Sequence, residues 1–252
     1  MDNTAFVEYL LQHYNQPFSG WDFSYLDGRC IEEPMPWSYE ALARQALAQA
    51  SAAVDLGTGG GERLLQFKDV FPPIVAATEG YPPNLRLAQE RTAPYGIKVY
   101  DVPTTLVDSL PFPDESFDLV LDRHSAFNVS EVARILSRGG TFLTQQVDGR
   151  RTDLHEAFDV EAQWPYYTLD FQLNLLQGLP LTIELAQEWT GAVQFTELGA
   201  VVYYLKAIPW IVPNFTVETH LPYLQKLQRS LEAEGELTFH ETLMLIKAKK
   251  RV

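Results

Sequence analysis

Asp55, Glu79, Asp122 and His124 are the side chains best placed by type and position to do chemistry. Asp55 is the fourth residue of the stretch 52–56, while Glu79 and Asp122 directly follow the stretches 74–78 and 117–121. A buried strand ending in an acid puts a carboxylate at its carboxyl end, where open α/β sheets bind ligands. After Asp55 come glycines at every second position, Gly57, Gly59 and Gly61, with Thr58 between the first two. Glycine removes the side chains that would keep a small ligand away from a sharp turn. Glu79 can accept hydrogen bonds from two ribose hydroxyls at once, and such charge-assisted bonds are strong. Dinucleotide sites use the same acid with the pattern G-x-G-x-x-G. Counted from Gly57, the last glycine of that pattern falls on Glu62, whose charge would oppose a pyrophosphate. The alternating glycines therefore suit a nucleoside ligand without phosphates. His124 titrates near neutrality and is the candidate general base; a loop-shaping histidine is the alternative.

The elements around these residues alternate. Strands are predicted at 52–56, 74–78, 98–102, 117–122 and 141–147, with helices from 62, over 84–91 and over 130–136. That alternation predicts a parallel sheet covered on both faces. Ahead of it, 1–50 reads as a helical and aromatic cap, with a helix over 38–50 started by Ser38. Beyond residue 150 the pattern predicts a mostly helical 158–177, a strand over 181–188, and a last strand over 239–247. The expected division is a cap at 1–50, a core at 51–189, an insertion at 190–236 and a final core strand at 237–252.

The chain has 252 residues, 46% hydrophobic, enough for one large core. A net charge of −14 argues against a nucleic-acid partner, which relies on clustered Lys and Arg. Cys30 is the only cysteine, so no internal disulfide forms. The first residues read as an amphipathic helix and no apolar run is long enough to span a membrane, so a cytoplasmic protein is expected. The histidines show no metal-ligand spacing, so no metal is expected.

Asp55-Leu56-Gly57-Thr58-Gly59-Gly60-Gly61 resembles the first motif of the class I S-adenosylmethionine-dependent methyltransferases. The likeness continues through Glu79, the Leu110–Val120 segment containing Leu110-Pro111-Phe112-Pro113, and Glu131–Gly140. It covers about residues 50 to 147 and is closest to the ubiquinone/menaquinone-type subgroup. The resemblance implies a Rossmann-like sheet of seven strands, with S-adenosyl-L-methionine as cofactor. It implies that Gly57, Thr58, Gly59 and Gly61 lie against the methionine part, that Asp55 meets the amino group, and that Glu79 holds the ribose. Gly80 and Tyr81 would border the adenine, with Leu106 and Val107 as its other wall. The subgroup carries an acid where this chain has Leu106, so Asp108 or backbone carbonyls take over adenine recognition. Asp122 would support the cofactor or its loop.

The implied activity is direct methyl transfer to oxygen, nitrogen or carbon of a small molecule. An RNA-base methyltransferase and a non-catalytic cofactor-binding protein are the alternatives. Arg123 would attract an anionic substrate or pair with an acid, and Gln145 and Gln146 would orient a substrate or cap local backbone. Trp37, Tyr203, Tyr204 and Trp210 form either a substrate pocket or ordinary core. The oligomeric state is open.

Overall fold

The computed structural model describes residues 2–103 and 105–252. Among these residues eight strands form one sheet: β1 (Cys30–Glu32), β2 (Ala52–Leu56), β3 (Ile74–Glu79), β4 (Lys98–Asp101), β5 (Phe117–Arg123), β6 (Leu136–Val147), β7 (Leu181–Phe195) and β8 (Leu237–Lys250). The helices are α1 (Asn3–Tyr14), α2 (Tyr39–Leu47), α3 (Glu62–Leu65), α4 (Pro82–Thr92), α5 (Val129–Ile135), α6 (Asp153–Ala157), α7 (Leu169–Leu176), α8 (Leu198–Ala207) and α9 (Leu221–Glu234).

The strand order is β1-β7-β8-β6-β5-β2-β3-β4. Strands β4, β3, β2, β5 and β6 run parallel, while β8 is antiparallel to β6, and β7 to β8. From β2 the chain moves outward through β3 and β4, then returns to the other side of β2 with β5. Such a reversal opens a crevice at the carboxyl ends of the two strands beside it. The seven expected strands are all present, and β1 adds an eighth at the edge, antiparallel to β7. It is too short to announce itself in sequence.

Side chains alternate between the two faces. Val54, Val120, Phe142 and Ile246 pack against Val129, Val132 and Ala133 of α5. On the other face, Ala53, Leu119, Leu121, Leu143 and Leu245 pack against Tyr39, Ala43 and Leu47 of α2. Ser38 caps α2 by accepting from Ala41 N–H at 3.1 Å. A separate core joins the amino-terminal cap to the later helices: Phe6 and Leu10 of α1 meet Val201, Val202 and Leu205 of α8 and Leu224 of α9.

Two element predictions change. The helix expected over 158–177 is helical only at Leu169–Leu176, because Pro165 and the turn from Tyr167 N–H to Trp164 O interrupt the preceding stretch. The strand expected to stop at 188 runs to Phe195. The added stretch buries Gly191, Val193 and Phe195 in alternation, but a glycine at 191 reads in sequence as a break in the strand.

Candidate functional site

The glycine turn leaves β2 and is pinned to β3 through its backbone. Gly57 N–H donates to Thr78 Oγ1 at 3.1 Å, Thr58 N–H to Thr78 O at 2.9 Å, and Gly59 N–H to Glu79 Oε2 at 2.8 Å. Gly57, Gly59 and Gly61 all have left-handed backbone, with φ of +64°, +63° and +82°. A Cβ on Gly59 would lie 2.3 Å from Cδ1 of Trp21, so the cap's indole ring rests directly on the turn. Glu62 secures that contact by accepting from Trp21 N–H. The carboxylate that argued against a pyrophosphate thus serves to hold the cap.

Three acids stand at neighbouring strand tips. Glu79 is 6% exposed, and its Oε1 accepts from Tyr81 N–H at 2.7 Å. Burial raises its pKa, opposed by the backbone donors. Burial pushes the Asp55 carboxyl up to about 7, and the nearby Glu79 charge adds to the rise. Asp122 is fully buried and accepts from Thr144 Oγ1 at 3.2 Å and from Gln146 Nε2. Its carboxyl is also pushed well up, first by burial and then by Asp55. Among the described residues none of the three forms an ion pair. Asp122 Oδ2 and Thr58 Oγ1 are buried without a hydrogen-bond partner. Buried carboxyls without counter-charge or full hydrogen bonding are costly. A ligand bearing positive charge and hydroxyl groups relieves that cost. Among the described residues no three His, Cys, Asp or Glu side chains group to hold a metal.

Beside Glu79 lies a cleft walled by Leu56, Thr78, Val102, Asp108, Leu110 and Phe127. Its enclosed space is about 20 Å³, room for a water molecule and not for a purine. Asp108 belongs to this wall, whereas Leu106 does not, and Val107 is 80% exposed. Leu56, Val102, Leu110 and Phe127 supply the apolar surface of the cleft. Tyr81 is exposed at the rim. Gly80 lets β3 approach the chain after β4, since a Cβ there would meet Val102 O at 2.6 Å.

A second group gathers at the carboxyl ends of β5 and β6. Register pairs Arg123 with Gln145. Trp37 Nε1–H donates to Gln145 Oε1 at 2.9 Å, and Gln145 Nε2 lies 3.1 Å from His124 Nε2. The His124 imidazole is held well below its usual pKa by protein crowding and then by the charges of Arg123 and Arg63, although the residue reaches solvent. Tyr203 and Tyr204 are not in this group. Tyr203 is 1% exposed and donates to Pro17 O at 3.3 Å; Tyr204 packs on Phe23 and Phe195. Both anchor the cap. Trp210 sets its edge against Trp21. Sequence reading did not single out Trp21, Tyr39 or Thr144, and it assigned Gln146 to substrate or backbone capping where the structure turns it onto Asp122. Tyr39 donates to Asp122 O at 3.3 Å, and no local motif predicts a contact 83 residues away.

Residues 54–144 match the family model described as "Methyltransferase domain". This stretch is a methyltransferase domain. A curated relative, the uncharacterized methyltransferase YcgJ of Bacillus subtilis strain 168, is 32% identical over 100 residues. That match takes in 36% of this chain and 38% of YcgJ. The solved YcgJ structure superposes with a TM-score of 0.60 at 19% identity, covering 85% of this chain and 98% of that one. The BH2331 protein of Bacillus halodurans C-125 gives 0.62 at 19%, covering 85% and 99%. The [4+2]-cyclase SpnF gives 0.55 at 14%, covering 98% and 93%, so its fold likeness extends over the cap as well as the methyltransferase domain.

Proposed function

We propose that this protein binds S-adenosyl-L-methionine across β2, β3 and β5 and transfers its methyl group directly to a small-molecule acceptor. The observation that carries the reading is the set of three unpaired carboxyl groups, Asp55, Glu79 and Asp122, around a glycine turn whose Gly59 tolerates no Cβ. Bound there, the cofactor supplies an activated methyl group on a positively charged sulfur. Glu79 accepts from the ribose with the lone pairs its backbone donors leave free. Asp55 meets the ammonium group, and Thr58 and the glycine backbone carry the methionine portion. Asp108, Leu110 and Phe127 flank the adenine once the adjoining loop opens. The aromatic cap, docked on the turn through Trp21, keeps water from the reacting atoms.

The acidic charge of the chain favours a small acceptor over RNA. Incubation with methyl-labelled cofactor and fractionated cell extract tests this reading. Label in small metabolites supports it, label in RNA replaces the acceptor class, and no label in any fraction leaves a cofactor-binding protein without transfer.

The charge state of Asp55 makes a further prediction. With its carboxyl near 7, most of it is protonated at pH 6 and must lose that proton to meet an ammonium group. At pH 8 it is already ionised. Affinity for S-adenosylhomocysteine is therefore expected to rise about tenfold from pH 6 to pH 8. Calorimetric titrations across that range measure it, and a flat profile removes Asp55 from the amino-group contact.

A further inference from the structure

The hydrogen bonds around His124 decide which of its nitrogens carries the proton. An indole Nε1–H can only donate. Trp37 therefore faces the oxygen of the Gln145 amide, at 2.9 Å, and the amide nitrogen faces His124. That nitrogen has hydrogens to give and no accessible lone pair. His124 Nε2, 3.1 Å away, must be the acceptor, which leaves the single hydrogen of the neutral ring on Nδ1. The backbone enforces the arrangement: His124 N–H donates to Gln145 O at 2.8 Å, so ring and main chain are tied to the same residue on β6. His124 also has left-handed backbone, φ +59°, a conformation that costs a non-glycine residue energy and collects at functional sites.

We propose that Trp37 and Gln145 are positioning residues that hold His124 in its Nδ1-protonated tautomer, so that it meets an acidic oxygen of the methyl acceptor as a hydrogen-bond donor. The acceptor half of this proposal rests on the methyl-transfer reading above; the tautomer half does not. The basic nitrogen of the ring is already occupied by Gln145, and Nδ1 has no protein partner among the described residues, on a side chain that solvent reaches. The donor role replaces the general-base role expected from sequence. Arg123 and Arg63 place two positive charges near the ring. Arg63 lies 3.8 Å from Glu40, while Arg123 makes no ion pair among the described residues and its Nε is buried without a partner. The other charged or titratable groups facing this cluster are Asp55 from β2, Tyr39 and Glu40 from α2, Glu32 from β1, and Glu241 from β8. A donor N–H beside a guanidinium without an ion-pair partner selects a carboxylate, phenolate or enolate oxygen. Such an oxygen arrives with its electron pair free, so no side chain has to take a proton from it.

Nitrogen-15 NMR of protein with labelled histidine tests the tautomer directly, with the His124 signals identified by their loss in His124→Gln. The expected spectrum shows a protonated Nδ1 and an unprotonated Nε2. Gln145→Glu, whose carboxylate can only accept, should move the hydrogen to Nε2 and raise the ring pKa by at least one unit. Trp37→Phe should leave a mixture of the two tautomers. A wild-type ring protonated at Nε2, or one unchanged by Gln145→Glu, overturns the proposal. The acceptor class is tested on protein loaded with S-adenosylhomocysteine, using benzoate, benzyl alcohol and benzylamine as matched probes. Benzoate should shift the Nδ1 signal at the lowest concentration. Preference for benzylamine, or equal response to all three, overturns the acidic-oxygen assignment. Failure of the protein to bind S-adenosylhomocysteine by calorimetry would instead sink the methyl-transfer reading and leave the tautomer standing.

Discussion

Glu79→Ala is expected to weaken binding of S-adenosylhomocysteine by about 1.5–3 kcal/mol, the loss typical of a hydrogen-bonding charged group. That corresponds to a rise in Kd of roughly ten- to more than a hundredfold. Two effects combine. The ribose loses its acceptor, and the glycine turn loses the carboxylate that fixes Gly59 N–H at 2.8 Å and Tyr81 N–H at 2.7 Å. Glu79→Gln separates them poorly, because its amide NH₂ would confront one of those backbone donors. A better control is Asp101→Ala. Asp101 is the residue in register with Glu79 on the edge strand β4, and it is exposed. Its removal should leave the affinity unchanged. Calorimetry on both variants decides the matter, and an unaltered Kd for Glu79→Ala excludes the ribose role.

The parts of this molecule that could be read from the chain are those whose physics is local. Strands β2, β3 and β5 are buried on both faces, so they appear as continuous apolar runs, and an acid at or next to the end of each run marks the strand tip. The alternate glycines mark the turn because left-handed backbone at three positions narrows the choice of residue. The cap was legible only as a concentration of aromatics. Its docking depends on Trp21 meeting Gly59 and on Glu62 meeting the Trp21 backbone, contacts between segments 38 and 41 residues apart with no shared periodicity. The likeness that placed Leu106 and Val107 at the adenine carried no information on how this particular loop folds, and Val107 turns to solvent. His124 was visible as a titratable side chain. Its hydrogen-bonding role was not, since that follows from the pairing of β5 with β6 and from Trp37 arriving ahead of α2.

Gly59→Ala tests whether the cap is joined to the cofactor turn, and Gly96 provides the reference. Both glycines have left-handed backbone, φ +63° and +71°. A Cβ on Gly96 meets nothing within 4 Å, so alanine there costs only the conformational strain, about 1–2 kcal/mol. At Gly59 the same atom would lie 2.3 Å from Trp21 Cδ1. The indole is wedged against Phe18, Phe23 and Trp210 and cannot swing aside without breaking those contacts. Overpacking of this kind adds about 1–3 kcal/mol to the strain. The Tm of Gly59→Ala should therefore fall further than that of Gly96→Ala, by roughly 2–4 °C for each additional kcal/mol. Combining Gly59→Ala with Trp21→Ala should return the cost of the glycine change to the strain alone, a non-additivity that reads the contact itself. Equal Tm losses for the two glycine variants, or strict additivity with Trp21→Ala, would mean that the cap does not rest on the turn in solution. In that case Trp21 could not be what shields the reacting atoms from water.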